Sequence, residues 1–154
     1  MSALVAFVHH LGAFTLVSAL VLQKVLLRDV VAGNVDANVA RHLRRADRIF
    51  GIAAAVVLAA GLLRVFVFEK GSGYYFHSVP FLLKASLFVI VGLLSIVPTI
   101  EFIGWGKAQK AGQAPAIDAA KLSRLQTVVQ LELAGVMLLI LCAALMAKGI
   151  GVFG

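Results

Sequence analysis

Four long apolar stretches, at about residues 3–23, 49–68, 79–100 and 125–147, constrain what this chain can fold into. Each is close to the ~20 residues that a helix needs to cross the hydrocarbon core of a bilayer. Inside that core every backbone N–H and C=O needs an internal partner, so only helices and closed barrels span it. Barrel strands alternate polar and apolar residues and run about half as long, whereas these runs are continuous and rich in Leu, Ala and Val. The chain is therefore read as all-α, an integral membrane four-helix bundle forming a single transmembrane domain over residues 1–154. With 62% hydrophobic and 14% charged residues it lacks the polar surface of an ordinary soluble domain. Met1, Ser2 and Ala3 supply no positive n-region and no small-residue cleavage site follows, so the first stretch is expected to be retained.

Charge sets the expected orientation. Six basic residues, Lys24, Arg28, Arg41, Arg44, Arg45 and Arg48, lie between the first two stretches, and Lys107, Lys110, Lys121 and Arg124 lie between the last two. The positive-inside rule places both of these loops in the cytoplasm, and so puts both termini and the 69–78 loop outside, N-out and C-out. The net charge of +7 is then a topology signal. Because the basic residues flank apolar spans, anionic headgroups of the lipid bilayer are their expected partners, and nucleic acid is not. The lone Cys142 offers neither a disulfide framework nor a thiolate cluster and reads as a small core residue.

The connections speak mainly of helix ends. In "NVDANVARHLRRADRIF", Asp36 or Asn38 can cap a helix that begins well before the second apolar run. Pro115 suits the first turn of a helix running from about Ala116 into the fourth stretch. Gly51, Ala55, Ala59, Ala60 and Gly92 are expected to allow close backbone approach, and Pro98 to kink the third helix.

Against this apolar frame, "VAFVHHLGAF" sets His9 and His10 on the order of 10 Å below the outer boundary. Neighbours on a helix point about 100° apart, so one of the two is expected to face the bundle interior. Arg64 and Lys84 lie at comparable depth; either snorkels to the headgroups or faces a partner or cavity. Glu69, Tyr74, Tyr75 and His77 in the outer loop could cover the same region. A polar, positively charged pocket in the outer half suits an anionic ligand, or a haem whose propionates Arg64 and Lys84 hold. Gln23, Lys24, Arg48, Glu101, Gln130 and Glu132 form an inner group, read either as ion pairs at helix ends or as a proton entry route. His42, among arginines, reads as a solvated residue. No Cys pair, HExxH pattern or His spaced three or four from another supports a closed zinc site, while a haem needs only one or two axial ligands. Copper is the alternative metal for His9 and His10.

The stretches "HHLGAF", "RRADRIFGIAAAVVLAAGLLRVFVFEKGSGYYFH" and "KASLFVIVGLLSIVPT" resemble a family of small bacterial four-helix predicted membrane proteins of unknown function, a DUF-type family, over nearly the whole chain. The layout is more distantly similar to HemJ-type protoporphyrinogen oxidases and to the membrane domain of CopD copper-resistance proteins. The HemJ resemblance implies haem b binding and porphyrinogen oxidation, carried by position onto His10, Arg48 and Lys84. It departs at Leu82, where those proteins have a histidine. The family resemblance implies a bacterial inner membrane.

Two function classes stay open on the sequence. One is a membrane redox protein with a b-type haem in the outer half. His10 would ligate it with His9 or His77 nearby, Arg64, Lys84 and Tyr75 would bind the cofactor, and Lys84 and Arg48 would be catalytic. Its partners would be a porphyrinogen-like substrate, quinone or another membrane redox protein. The other is a module without haem, an accessory subunit or a small ion or anion carrier using buried His, Lys and Glu. Small-residue faces permit a homodimer without demanding one.

Overall fold

Residues 2–68 and 77–151 are described by the computed structural model. Four helices among them are long and apolar enough to cross a membrane. The first, α1, is Ser2–Leu26. The second, α2, is Ala37–Leu63 and continues as a π-helix over Arg64–Phe68. The third and fourth are α3, Val79–Lys110, and α4, Ala119–Ala147. No β-strand forms among the described residues.

Local chemistry sets the ends. Asp36, rather than Asn38, caps α2: its Oδ1 accepts the N–H groups of Asn38 at 2.8 Å and Val39 at 3.1 Å. The helix thus starts 12 residues before the apolar run expected to begin at residue 49. Asp118 caps α4 by accepting the Lys121 N–H at 2.8 Å. Pro115 therefore lies ahead of the helix and not in its first turn, and its carbonyl accepts the Val35 N–H at 3.0 Å. A carboxylate aimed at free N–H groups is the stronger start signal, and Asp118 supplies it three residues after the proline. At the other end of each of the last two helices, Gly112 (φ 72°) and Gly149 (φ 69°) adopt the left-handed conformation that closes a Schellman cap.

The helices pack as two antiparallel pairs, α1 with α2 and α3 with α4, and looser α2–α3 and α4–α1 contacts close the ring. One end carries most of the Lys and Arg residues and is called the basic end. The opposite end carries His9, His10, the start of α1 and the end of α4. On α2 the buried stripe is Ala40, Leu43, Ala46, Phe50, Ala53, Val57 and Ala60, recurring every three or four residues. Leu16, Leu20, Phe102, Val129 and Val136 meet it in the core. The outer surface is apolar: Phe7, Phe14, Ile100 and Leu141 are exposed, Phe14 by 70%, as lipid contact requires.

Close approach falls elsewhere than expected. Gly51, Ala55, Ala59 and Gly92 are exposed, and of the five small residues expected to pack only Ala60 is buried. A methyl group added to Gly12 would meet Val57 Cγ2 at 2.8 Å, and one added to Gly135 would meet Val91 Cγ2 at 2.6 Å. The rotation of each helix selects which small residue faces its neighbour, and that rotation follows the larger side chains of the core.

The basic end is tied across the pairs. Gly33 N–H donates to the Ile117 carbonyl at 2.8 Å, Val35 N–H donates to Pro115, and the Gln126 amide donates to the Leu27 carbonyl at 3.0 Å. Val30, Val35 and Ile117 are buried beneath these bonds.

Candidate functional site

Two polar groups interrupt the apolar bundle. At the terminal end, His9 lies half-buried against α2, where its Nδ1–H donates to the Val57 carbonyl at 3.0 Å. Gly61 makes room for the ring: a Cβ there would come within 3.3 Å of His9 Cε1. His10 projects away from the bundle, exposed, and its Nδ1–H donates to the Ala6 carbonyl one turn back. The two rings stand 6.0 Å apart at 88°. Lys84 and Arg64, both half-buried, are near enough to act on His9 electrostatically. The fold thus gathers His9, Arg64 and Lys84. It does not bring Arg48 to them, because the 16-residue step from Arg48 to Arg64 puts their backbones about 24 Å apart along α2 and its π-helical continuation. His77 is exposed in the turn before α3. Glu69, Tyr74 and Tyr75 lie outside the described residues. Among the described residues no group of three His, Cys, Asp or Glu is placed to hold a metal ion.

Nearer the basic end, the helices turn polar side chains inward. Gln23 on α1 and Glu132 on α4 are each 1% exposed, and neither the Gln23 amide nor the Glu132 carboxylate has a hydrogen-bond partner among the described residues. Their depths are similar. Gln126 bonds to Leu27 across this antiparallel pair, and from that contact Gln23 is about 6 Å and Glu132 about 9 Å toward the middle of the bundle. Asp47 on α2 accepts the Thr99 hydroxyl of α3 at 3.0 Å and acts on Glu132 electrostatically. Asp47 and Thr99 also line a cleft of about 570 Å³ between α2 and α3, walled by Phe50, Ile52, Phe102 and Ile103. A buried carboxyl without a partner is costly, since desolvation is not offset by a hydrogen bond.

Of the inner residues grouped in the sequence, Gln23 and Glu132 are buried with their polar atoms unpartnered. Gln130 is exposed, Lys24 is half-buried, and Glu101 accepts the Trp105 indole N–H of its own helix at 2.9 Å.

The family described as a predicted membrane protein, DUF2214, matches residues 1–151. The chain belongs to the DUF2214 family. No curated protein and no solved structure matches it. The expected similarity to HemJ-type oxidases and CopD proteins is not shown by these matches.

Two polar residues that the fold adds to this candidate site, Asp47 and Thr99, were not singled out in the sequence. Asp47 stands in "RRADRIF", between cations, and reads as part of a solvated face. The signal was present in the helical phase. Leu43, Ala46 and Phe50 define the inward stripe, and Asp47 falls on its flank. Thr99 has no such marker, because nothing about a threonine beside a proline in an apolar run announces a partner on another helix.

Proposed function

We propose that this DUF2214 protein is a small-ion carrier in which the Glu132 carboxyl takes up and gives up a proton or small cation. The observation that supports this is the burial of both Glu132 oxygens without a protein partner, inside a helix that also faces lipid. Ionisable groups inside membrane spans cost several kcal/mol and mark ion and proton pathways. Asp47 borders the cleft and is near enough to Glu132 to act on it electrostatically. The Gln23 amide, unpartnered at similar depth, offers an oxygen to a cation or an N–H to a carboxylate. By the positive-inside rule the basic end faces the cytoplasm of a bacterial inner membrane, with both termini outside. The test is a flux assay in vesicles holding a pH-sensitive dye, with a potassium diffusion potential as driving force and labelled sodium uptake in parallel. Proton or sodium flux is expected with the protein and is lost in Glu132→Gln. Flux no faster than in protein-free vesicles overturns the proposal.

A second reading, a membrane redox protein with one b-type haem, is favoured by the geometry of His9. Ligating histidines donate the other ring N–H to a carbonyl or carboxylate, and His9 Nδ1 does so to Val57, which leaves Nε2 as the ligating atom. His9 then replaces His10 as the leading ligand, and Arg64 and Lys84 are the cations near enough to hold propionates. A haem would supply one-electron transfer, with quinone or a porphyrinogen-like molecule as the exchanging partner. Copper would use the same nitrogen. An absorption spectrum of the detergent-purified protein, oxidised and then reduced, tests the reading. A Soret band lost in His9→Ala is expected, and a protein colourless after expression with added haem precursor overturns it.

A further inference from the structure

A second cleft, of about 370 Å³, opens at the basic end between the first turns of α2 and the last turns of α3. Its walls are Arg41, Arg44, Arg45 and Arg48 from α2 and Gln109 and Lys110 from α3, over a floor at Gly106. Five cations converge here from two helices. Like charges three and four residues apart destabilise a helix by a few tenths of a kcal/mol per pair, so the arrangement calls for a counter-charge. The protein does not supply one, since among the described residues none of the five pairs with a carboxylate. The two acids of α2 and its cap are otherwise engaged: Asp36 holds the helix N–H groups and Asp47 holds the Thr99 hydroxyl.

One of the cations is held in place. The Arg44 guanidinium lies flat on the Gly106 backbone, where a Cβ would stand 2.5 Å from Nη1, 2.6 Å from Cζ and 2.7 Å from Nε. Its Nη1–H donates to Gln109 Oε1 at 3.4 Å, and the Gln109 amide in turn donates to the Ala37 carbonyl at 2.8 Å. That bond uses one of five guanidinium donors. Planar forks with several free donors match the oxygens of a phosphate, and holding one of them still removes part of the ordering cost of binding.

We propose that this arginine cleft binds a phosphate group, borne either by an anionic lipid headgroup or by a small soluble molecule. The volume falls in the range of small-molecule sites. The cleft shares Arg44, Arg48 and Lys110 with the larger one above it, whose walls include Phe50, Ile52 and Ile103, so an apolar tail attached to the phosphate has a path between α2 and α3. This inference does not depend on the carrier reading, because it concerns equilibrium binding and not flux.

The experiment is a thermal-unfolding titration of delipidated protein in neutral detergent, with the fluorescence of Trp105 as signal, since this buried indole adjoins Gly106. The probes are short-chain phosphatidylglycerol, phosphatidylcholine, and inorganic phosphate balanced against chloride at constant ionic strength. The midpoint is expected to rise with phosphatidylglycerol or phosphate and not with phosphatidylcholine or chloride. A response to inorganic phosphate assigns a soluble source, and a response to phosphatidylglycerol alone assigns the headgroup. Arg45 and Arg48 are exposed and belong to the like-charge pairs, so the double variant Arg45→Gln, Arg48→Gln has a ligand-free midpoint no lower than the parent's and binds at least about tenfold more weakly. Lys110→Gln, on the opposite wall, weakens binding independently. The proposal is overturned by no shift with either phosphate probe, or by the same shift in the double variant.

Discussion

The two polar groups of the bundle are built in opposite ways. At the terminal end, two histidines adjacent in the chain diverge, one bonded to α2 and the other turned outward onto its own helix. Toward the basic end, residues as far apart in the chain as Gln23, Asp47, Thr99 and Glu132 are brought inward by four different helices. A helix separates its neighbours by about 100° and a bundle reunites distant positions, so adjacency in sequence is weak evidence of a shared site within a single helix.

This contrast is open to attack, and the largest effect is expected at Glu132. Glu132→Leu should abolish ion flux and at the same time raise stability by about 1 to 3 kcal/mol, because a buried group with no partner is removed. Unfolding by a denaturing detergent measures the second effect, and a variant less stable than the parent would mean that the carboxyl is structurally satisfied. The next comparison is His9→Ala against His10→Ala. Loss of the Val57 bond should cost about 0.6 to 1.7 kcal/mol at His9, between the average and the largest value measured for bonds between membrane helices. The exposed His10 should cost under about 0.5 kcal/mol. Equal costs would erase the distinction between the two rings. A smaller effect is expected for Thr99→Val, which deletes one hydroxyl from Asp47 at a cost of about 0.6 kcal/mol, read in the same assay. Flux in that variant should fall without vanishing, since Glu132 is untouched.

Much of the frame was legible in the sequence. The four apolar runs lie within the four helices, apart from the last residues of the second, which are π-helical, because length and continuity of burial in lipid are properties of a segment by itself. The start of α2 was legible to within two residues, from Asp36 or Asn38, for the same reason: a cap acts on its own next turn. What depends on rotation was not legible. Gly12, Gly106 and Gly135 are positions within the helices where a side chain would collide, yet Gly51 and Gly92 look equally suitable in the sequence. Of the histidine pair, the sequence indicated that one would face inward without saying which. Asp47 escaped notice because its neighbours in the chain are arginines, while its neighbour in space is a threonine 52 residues away.

The bonds that join the two loops of the basic end also bear on the order in which the molecule is assembled. The tightest packing is between helices consecutive in the chain, α1 with α2 and α3 with α4, so each hairpin has the local contacts it needs to pack without the other. The Gly33 and Val35 N–H groups are the exception, for their acceptors are the carbonyls of Ile117 and Pro115 in the second hairpin. Until that hairpin is inserted, water must serve those two donors, which keeps the first loop at the membrane surface and gives the second hairpin a fixed register on which to close.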